Sequence, residues 1–171
     1  GAEQEGWLCV AADDIDKVYE KYEYVWRNIA ERFKDYDEHL IFESMNEVTS
    51  GSNDKNNVLF DNPIIMNLNQ IFTNVVRSTG SNNSKRWLSV PGHYALPSAV
   101  TNKDYKFTLP EDSVSDRLFV AAHIYAGPSN FYMSKDMTAT VCELSACTDM
   151  LNKIKVMGTT WSDKGVPVII G

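Results

Sequence analysis

The chain has 171 residues, of which 43% are hydrophobic and 23% charged, a composition typical of one folded domain with a hydrophobic core. Its 23 acidic and 16 basic residues give a formal net charge of -7, and Lys and Arg form no cluster, which argues against nucleic acid as a partner. No apolar run approaches the roughly 20 residues of a membrane-spanning helix, so no membrane partner is expected.

Cysteine and histidine residues indicate neither a disulfide framework nor a metal site. The three cysteines are an odd number, and although Cys142 and Cys147 could close a small loop, we expect free thiols. The three histidines are scattered without the spacing of metal ligands, and no glycine-rich phosphate-binding loop follows a predicted strand. The sequence therefore predicts no metal ion and no cofactor.

Hydrophobic periodicity and turn residues predict helices and strands in alternation. The first helix is predicted over residues 14–33 with Asp13 or Asp14 as its cap, followed by a strand over residues 40–45 and a polar loop over residues 49–62. The later predicted segments are a helix from Pro63 to Gly80, a strand at 86–90, an irregular region at 91–116, a strand at 118–125, a loop at 126–147, a helix from Thr148 to Trp161 and a strand at 166–171.

Strands separated by helices pair in parallel through right-handed crossovers, so the predicted fold class is α/β. The pattern allows a doubly wound sheet or part of a (β/α)8 barrel, and in both folds functional groups gather at the carboxyl ends of the strands. Polar residues stand at three such ends: Asn46 and Glu47, His93, and His123 and Tyr125. We therefore predict a functional site at this edge of the sheet.

Four segments of the chain resemble glycoside hydrolase family 5, the endoglucanase family, and occur in the family's order. They are KDYDEHLIFESMNEV, RWLSVPGH, LFVAAHIY and GVPVIIG. In the family, the first segment carries the catalytic acid/base and the others are the fifth, sixth and seventh strands. The resemblance implies a (β/α)8 TIM barrel, present as a fragment from roughly strand four to strand seven. Residues 1–171 would then form one partial catalytic domain.

The resemblance also implies a retaining endo-β-1,4-glucanase. Retaining hydrolysis needs two carboxyl groups about 5 to 5.5 Å apart, one as general acid/base and one as nucleophile. Glu47 is implied as the general acid/base, and the nucleophile, a glutamate, is expected directly after Gly171. Val48 stands where the family usually has proline, a residue that shapes the loop and carries no chemistry.

Four further residues are candidates for binding the β-glucan substrate. The resemblance implies that Asn46 hydrogen-bonds the sugar 2-hydroxyl, that His123 lines the cleft, and that the Tyr125 hydroxyl holds the nucleophile. His93 follows a strand end and is a weaker candidate for contacts with sugar hydroxyls. Alternation along the strand places Glu43 on the same side as Met45 and Glu47, as an interior carboxylate with a partner or as a group that tunes Glu47.

Aromatic residues offer a less specific signal. Tyr94, Phe131 and Tyr132 lie in predicted loops above the same edge, where an aromatic ring either packs on a sugar or packs on the protein. Trp161 continues a helical stripe and is predicted to be part of the core.

Other functions stay open at the level of the sequence. A mannanase or xylanase of the same family would keep the mechanism and change the sugar. A catalytically incomplete half-barrel would act only with a complementing chain, and its open sheet edges would favour association. Secretion is expected because a polymeric substrate cannot enter a cell.

Overall fold

The computed structural model describes residues 6–50, 55–125 and 144–171. In these residues, helices and parallel strands alternate along the chain. The helices are α1 (Ile15–Phe33), α2 (Lys55–Ser78), α3 (Pro97–Thr101) and α4 (Leu144–Thr160). The strands are β1 (Phe42–Glu43), β2 (Leu88–Pro91), β3 (Leu118–Ala122) and β4 (Val168–Ile170).

The strands form one parallel sheet in the order β1-β2-β3-β4. Each described strand therefore lies beside the next one in sequence, without the reversal of strand order that defines a doubly wound sheet. The register pairs Glu43 with Ser89 and Ser89 with Phe119. The predicted parallel α/β sheet is confirmed, and its sequential order is that of a barrel segment.

Two hydrophobic clusters cover the face of the sheet that the helices occupy. In the larger cluster, α1 and α2 pack on β1 and β2 around Trp26, whose ring centroid lies 4.4 Å from that of Phe72 and 5.7 Å from that of Phe42. In the smaller cluster, Met157 of α4 packs on β3. Trp161 packs against this second cluster and donates its ring N–H to a main-chain carbonyl, so its predicted core role is confirmed.

Helix α2 begins at Lys55, so the predicted start at Pro63 is wrong and the predicted loop over 49–62 is wrong in its second half. Pro63 lies inside the helix, where it removes one main-chain hydrogen-bond donor. The polar residues Asp61 and Asn62 indicated a loop, yet both side chains are fully buried. Their polarity reflects hydrogen bonds to neighbouring loops, which sequence periodicity does not reveal.

Several predicted boundaries also differ from the structure. Strand β1 has only the two residues Phe42–Glu43, because the chain bends at Ser44. Strand β3 ends at Ala122, so His123 and Tyr125 lie just beyond it. Helix α4 begins at Leu144, and the cap predicted at Thr148 is therefore wrong, whereas the predicted cap Asp14 accepts a hydrogen bond from the Lys17 N–H.

The buried guanidinium of Arg86 ties the C-terminal end of α1 to the amino-terminal side of the sheet. All five of its N–H groups donate hydrogen bonds, at 2.6 to 3.1 Å. The acceptors are the Asn83 side chain and the carbonyls of Phe33, Tyr36, Asp37 and Leu40. One side chain therefore binds a carbonyl at the end of α1 and three carbonyls of the loop that follows it.

Replacing Arg86 with lysine should destabilise the protein by about 3 kcal/mol or more, because lysine has too few donors and several buried carbonyls lose their partners. Urea unfolding measures the change. The matched control is Arg27→Lys, an exposed residue paired with exposed Glu23, which should change stability by less than about 1 kcal/mol. Equal effects of the two substitutions would contradict the role given to Arg86.

Gly92 allows α3 to approach the end of β2. A Cβ atom at this position would lie 2.7 Å from Val100 Cγ1 and 3.2 Å from Ala99 Cβ. Gly92→Ala should therefore cost about 1 to 3 kcal/mol. Val100→Ala removes the nearest clashing atom, so the double variant should lose less stability than the sum of the single variants. Additive losses in thermal unfolding would show that the clash is not the cause.

Candidate active site

Ser44 is the point at which β1 stops and the chain turns toward the carboxyl edge of the sheet. Its carbonyl accepts hydrogen bonds from the Tyr22 hydroxyl at 2.7 Å and from the Trp26 ring N–H at 3.2 Å. Burial raises the pKa of the Tyr22 hydroxyl, which therefore stays protonated and able to donate. The Ser44 hydroxyl donates to Asn69 at 2.7 Å, and the Asn69 amide donates to the Pro91 carbonyl. Both strand ends are thus held by buried side chains.

Glu47 lies at this edge with His123 and Tyr125. The Nδ1 atom of His123 is 2.5 Å from Oε1 of Glu47, and the Tyr125 hydroxyl donates to the same oxygen at 2.7 Å. The side chains of Glu47 and His123 are 15% and 19% exposed. Within the described residues, Oε2 of Glu47 has no hydrogen-bond partner. The carboxyl group is therefore held through one oxygen and can present the other.

Main-chain contacts place His123 beside Glu47. The His123 N–H donates to the Ala95 carbonyl at 2.8 Å, and the Ile124 N–H donates to the Gly171 carbonyl at 3.0 Å. A Cβ atom on Gly171 would lie only 3.2 Å from Cδ2 of the His123 ring. Glycine at the end of the last described strand therefore lets that strand pass close to the imidazole.

Glu43 lies on the face of the sheet opposite the helices. Glu43 is exposed, but partial desolvation by its neighbours raises the pKa of its carboxyl, and the charge of His123 partly offsets this effect. The alternation expected from Glu43 through Met45 to Glu47 is wrong for Met45, which packs in the helix-side core with Phe42. The regular strand ends at Glu43, so strict alternation stops there.

The side chain of His93, for which a sugar contact was predicted, is fully buried in this structure. Its Nδ1 atom lies 2.8 Å from Oδ2 of Asp61, which is also fully buried. Burial by itself would raise the pKa of the Asp61 carboxyl, but hydrogen bonds from His93 and the Ser50 N–H, with the charge of His93, lower it overall. This buried pair is a structural element beneath the edge, not part of its surface.

The remaining candidates have mixed outcomes. Asn46 is exposed at the edge and has no hydrogen bond to other residues in the part of the chain that the structure describes. Tyr94 is half-buried, with its main-chain N–H bonded to the Val48 carbonyl. Phe131 and Tyr132 lie outside the described residues.

Further sequence predictions concern cysteines, metals and membranes. Cys9 and Cys147 are free thiols, whereas Cys142 lies outside the described residues. Across residues 6–50, 55–125 and 144–171, no three His, Cys, Asp or Glu side chains converge as metal ligands do. Within the same ranges, no helix has the length and hydrophobicity required to cross a membrane.

Sequence reasoning missed the buried polar residues that support the edge. Asp61 and Asn69 are fully buried on α2, and they share a stripe with Val58, Ile65 and Phe72 at helical spacing. Extending the apolar periodicity backward through Pro63 would have revealed this stripe. The proline and the polar residue types concealed it.

A carboxyl group held by histidine and tyrosine, at the carboxyl edge of a parallel sheet, has a geometry suited to proton transfer. Comparison with known proteins identifies the family of the chain. The chain belongs to the cellulase family, glycosyl hydrolase family 5, whose model matches residues 3–171.

Two endoglucanases illustrate the relationship. Endoglucanase A of Paenibacillus barcinonensis is 40% identical over 129 residues, which cover 70% of this chain and 32% of the relative. Endoglucanase 1 of Ruminococcus albus is 33% identical over 169 residues, which cover 98% of this chain and 40% of the relative. The chain thus spans about a third to two fifths of these relatives.

Solved structures agree with the sequence comparison. A family 5 xyloglucanase from Paenibacillus pabuli, in complex with a ligand, superposes with a TM-score of 0.81 at 35% identity, covering 98% of this chain and 51% of that one. A broad specificity endoglucanase from Ruminococcus champanellensis with bound cellotriose gives a TM-score of 0.80 at 36% identity, covering 96% and 47%. The predicted (β/α)8 barrel, present as a fragment, is confirmed.

The buried Asp61 carboxylate should make stability depend on pH. Its folded pKa lies below the unfolded value of about 3.9, so the ionised group stabilises the protein above that pH, and this contribution is lost as the pH falls through the folded value. Asp61→Asn should cost about 1 to 3 kcal/mol near neutral pH, with a smaller difference from the wild type in strong acid. Urea unfolding at both pH values measures this, and a difference independent of pH would contradict it.

Proposed function

We propose that the protein containing this chain is a retaining endo-β-1,4-glucanase in which Glu47 is the general acid/base. Residues 1–171 would be the central part of its catalytic domain. The observation that carries the proposal is the Glu47 carboxyl at the sheet edge, with Oε1 bonded by His123 and Tyr125. The family membership and the endoglucanase names of the relatives support the same activity.

In the first chemical step, protonated Glu47 donates its proton to the glycosidic oxygen as the bond breaks. Among the described residues, only Oε1 is held by hydrogen bonds, so Oε2 suits this transfer. A second carboxylate attacks the anomeric carbon, and we place it directly after Gly171. Gly171 packs against His123, so the chain beyond it would emerge beside Glu47. Glu47 then acts as base toward water in the second step.

The neighbouring side chains would bind substrate or hold the two carboxyl groups. Asn46 is exposed at the edge, which leaves its amide available to the sugar 2-hydroxyl. His123 contacts both Glu47 and Gly171, so its ring would line the cleft between the two carboxyl groups. The Tyr125 hydroxyl, bonded here to Glu47, would also lie within reach of the nucleophile.

The substrate is proposed to be a β-glucan. Two of the similar structures are named xyloglucanase and broad specificity endoglucanase, which favours glucan over mannan or xylan as the main chain. Because such a polymer cannot enter a cell, we infer that the protein is secreted.

The remainder of the barrel is the expected structural partner of this segment. Ile169 and Ile170 on β4 are 38% and 40% exposed, although they lie in a strand, and Glu43 on β1 is exposed on the inner face. Further strands of the same protein, or of a complementing chain, would cover these edges.

Glu47→Gln in the complete protein should lower the hydrolysis of carboxymethyl cellulose by about 10²- to 10⁴-fold, because the amide cannot donate or accept the proton. Binding of cellotetraose, measured by calorimetry, should change little since glutamine keeps the size of the side chain. The control is Glu38→Gln, an exposed glutamate on the loop before β1, which should retain full activity. Near-normal activity of Glu47→Gln would refute its assignment.

Retention is tested separately by NMR of the first products. A double displacement yields the β-anomer before mutarotation. Initial release of the α-anomer would indicate an inverting enzyme, with the two carboxyl groups farther apart.

A further inference from the structure

Asp61 is a fully buried carboxylate that the proposed reaction does not use. It belongs to α2 and lies beneath the carboxyl edge, between the segment after Glu47 and the turn after β2. A buried charge is costly unless hydrogen bonds or ion pairs compensate it, so its partners indicate what it stabilises.

The first set of partners belongs to the segment that follows Glu47. Oδ2 of Asp61 accepts the Ser50 N–H at 2.7 Å and the Thr49 hydroxyl at 3.3 Å. These contacts begin two residues beyond the proposed acid/base. They hold the carboxyl-terminal side of the Glu47 loop, while Ser44 holds its amino-terminal side.

The second partner belongs to the turn after β2. The same Oδ2 atom lies 2.8 Å from Nδ1 of His93. The next residue, Tyr94, donates its N–H to the Val48 carbonyl at 3.0 Å, and the Ala95 carbonyl accepts the His123 N–H at 2.8 Å. The turn therefore contacts both the loop that carries Glu47 and the residue bonded to its carboxyl group.

This turn has an unfavourable backbone. Tyr94 and Ala95 have φ angles of 51° and 49°, in the left-handed region that residues other than glycine seldom adopt. Such a conformation persists only when the surrounding structure holds it. The buried bond between Asp61 and His93, and the bond that the His93 N–H donates to the side-chain oxygen of Asn62, supply that hold.

We propose that Asp61 is a positioning residue for the catalytic acid: by joining Ser50 to His93, it sets the Glu47 carboxyl against His123. The inference rests on the proposed role of Glu47. Loss of the negative charge would weaken both links and allow the Glu47 loop and the His93 turn to move apart. Proton donation requires hydrogen-bond distance, and a displacement of about 1 Å can lower a rate by 10²-fold.

Leaving-group dependence distinguishes positioning of the acid from general damage. A sugar is a poor leaving group that needs protonation, whereas dinitrophenolate leaves without it. In the complete protein, Asp61→Asn should lower kcat/KM for cellotetraose about 10- to 100-fold. The decrease in kcat/KM for 2,4-dinitrophenyl β-cellobioside should be less than about 3-fold. The comparison is valid because kcat/KM reports the step in which the leaving group departs.

Asp112→Asn is the matched control. This substitution breaks a buried ion pair, in which Nη2 of Arg77 lies 2.6 Å from the Asp112 carboxylate. The pair lies next to the Arg86 network, at the edge of the sheet far from Glu47. This variant should lose stability while keeping the wild-type ratio of the two kcat/KM values. Equal losses on both substrates in Asp61→Asn, or an unchanged kcat/KM for cellotetraose, would overturn the inference.

Two His93 variants provide a second test that does not depend on the folding of Asp61→Asn. His93→Asn keeps an N–H directed at Asp61 and should stay near the wild-type ratio, whereas His93→Leu should show the selective loss on cellotetraose. Indistinguishable ratios would overturn the inference. A wild-type protein inactive on both substrates would overturn the proposed function and this inference with it. If the wild type is active but the Asp61→Asn and His93→Leu variants show no selective loss on cellotetraose, only the inference about Asp61 is overturned.

Discussion

The carbonyl group of Ser44 is buried where the first strand ends, and a buried carbonyl needs a donor. Tyr22 and Trp26 supply two from α1, so the chain leaves the sheet at this point and does not extend the strand. The loop with Glu47 begins here and reaches the carboxyl edge of the sheet. The position of the site thus depends on contacts between α1 and the end of β1. These contacts lie on the helix-covered face of the sheet, opposite its exposed inner face.

The two edges of the sheet use buried polar groups differently. At the amino edge, Arg86 and the Arg77–Asp112 pair are enclosed by protein partners, and their contacts join helix ends to loops. At the carboxyl edge, the enclosed pair of Asp61 and His93 lies below a carboxyl group that remains partly exposed. The buried polar contacts that stabilise the fold and the candidate catalytic residues are therefore separated along the strands, an arrangement typical of (β/α)8 barrels.

The fold class followed from the order of periodic segments, since strands separated by helices can pair only through long crossovers. Residues at strand ends followed from the same logic, and Glu47, His123 and Tyr125 do meet. His93 obeys the same pattern yet is buried. The position of a residue at a strand end predicts at which edge of the sheet it lies. Whether its side chain faces outward depends on the turn that follows, and after β2 that turn contains residues with left-handed φ angles.

The parallel α/β arrangement and the family could be predicted because hydrophobic periodicity and the four quoted segments are local signals. Folding in three dimensions determined the start of α2 and the partners of Asp61. It also decided which oxygen of Glu47 is held. The type of a polar residue does not show whether its side chain lies in a loop or in the core. Only the donors and acceptors that distant segments bring to it determine whether it can be buried.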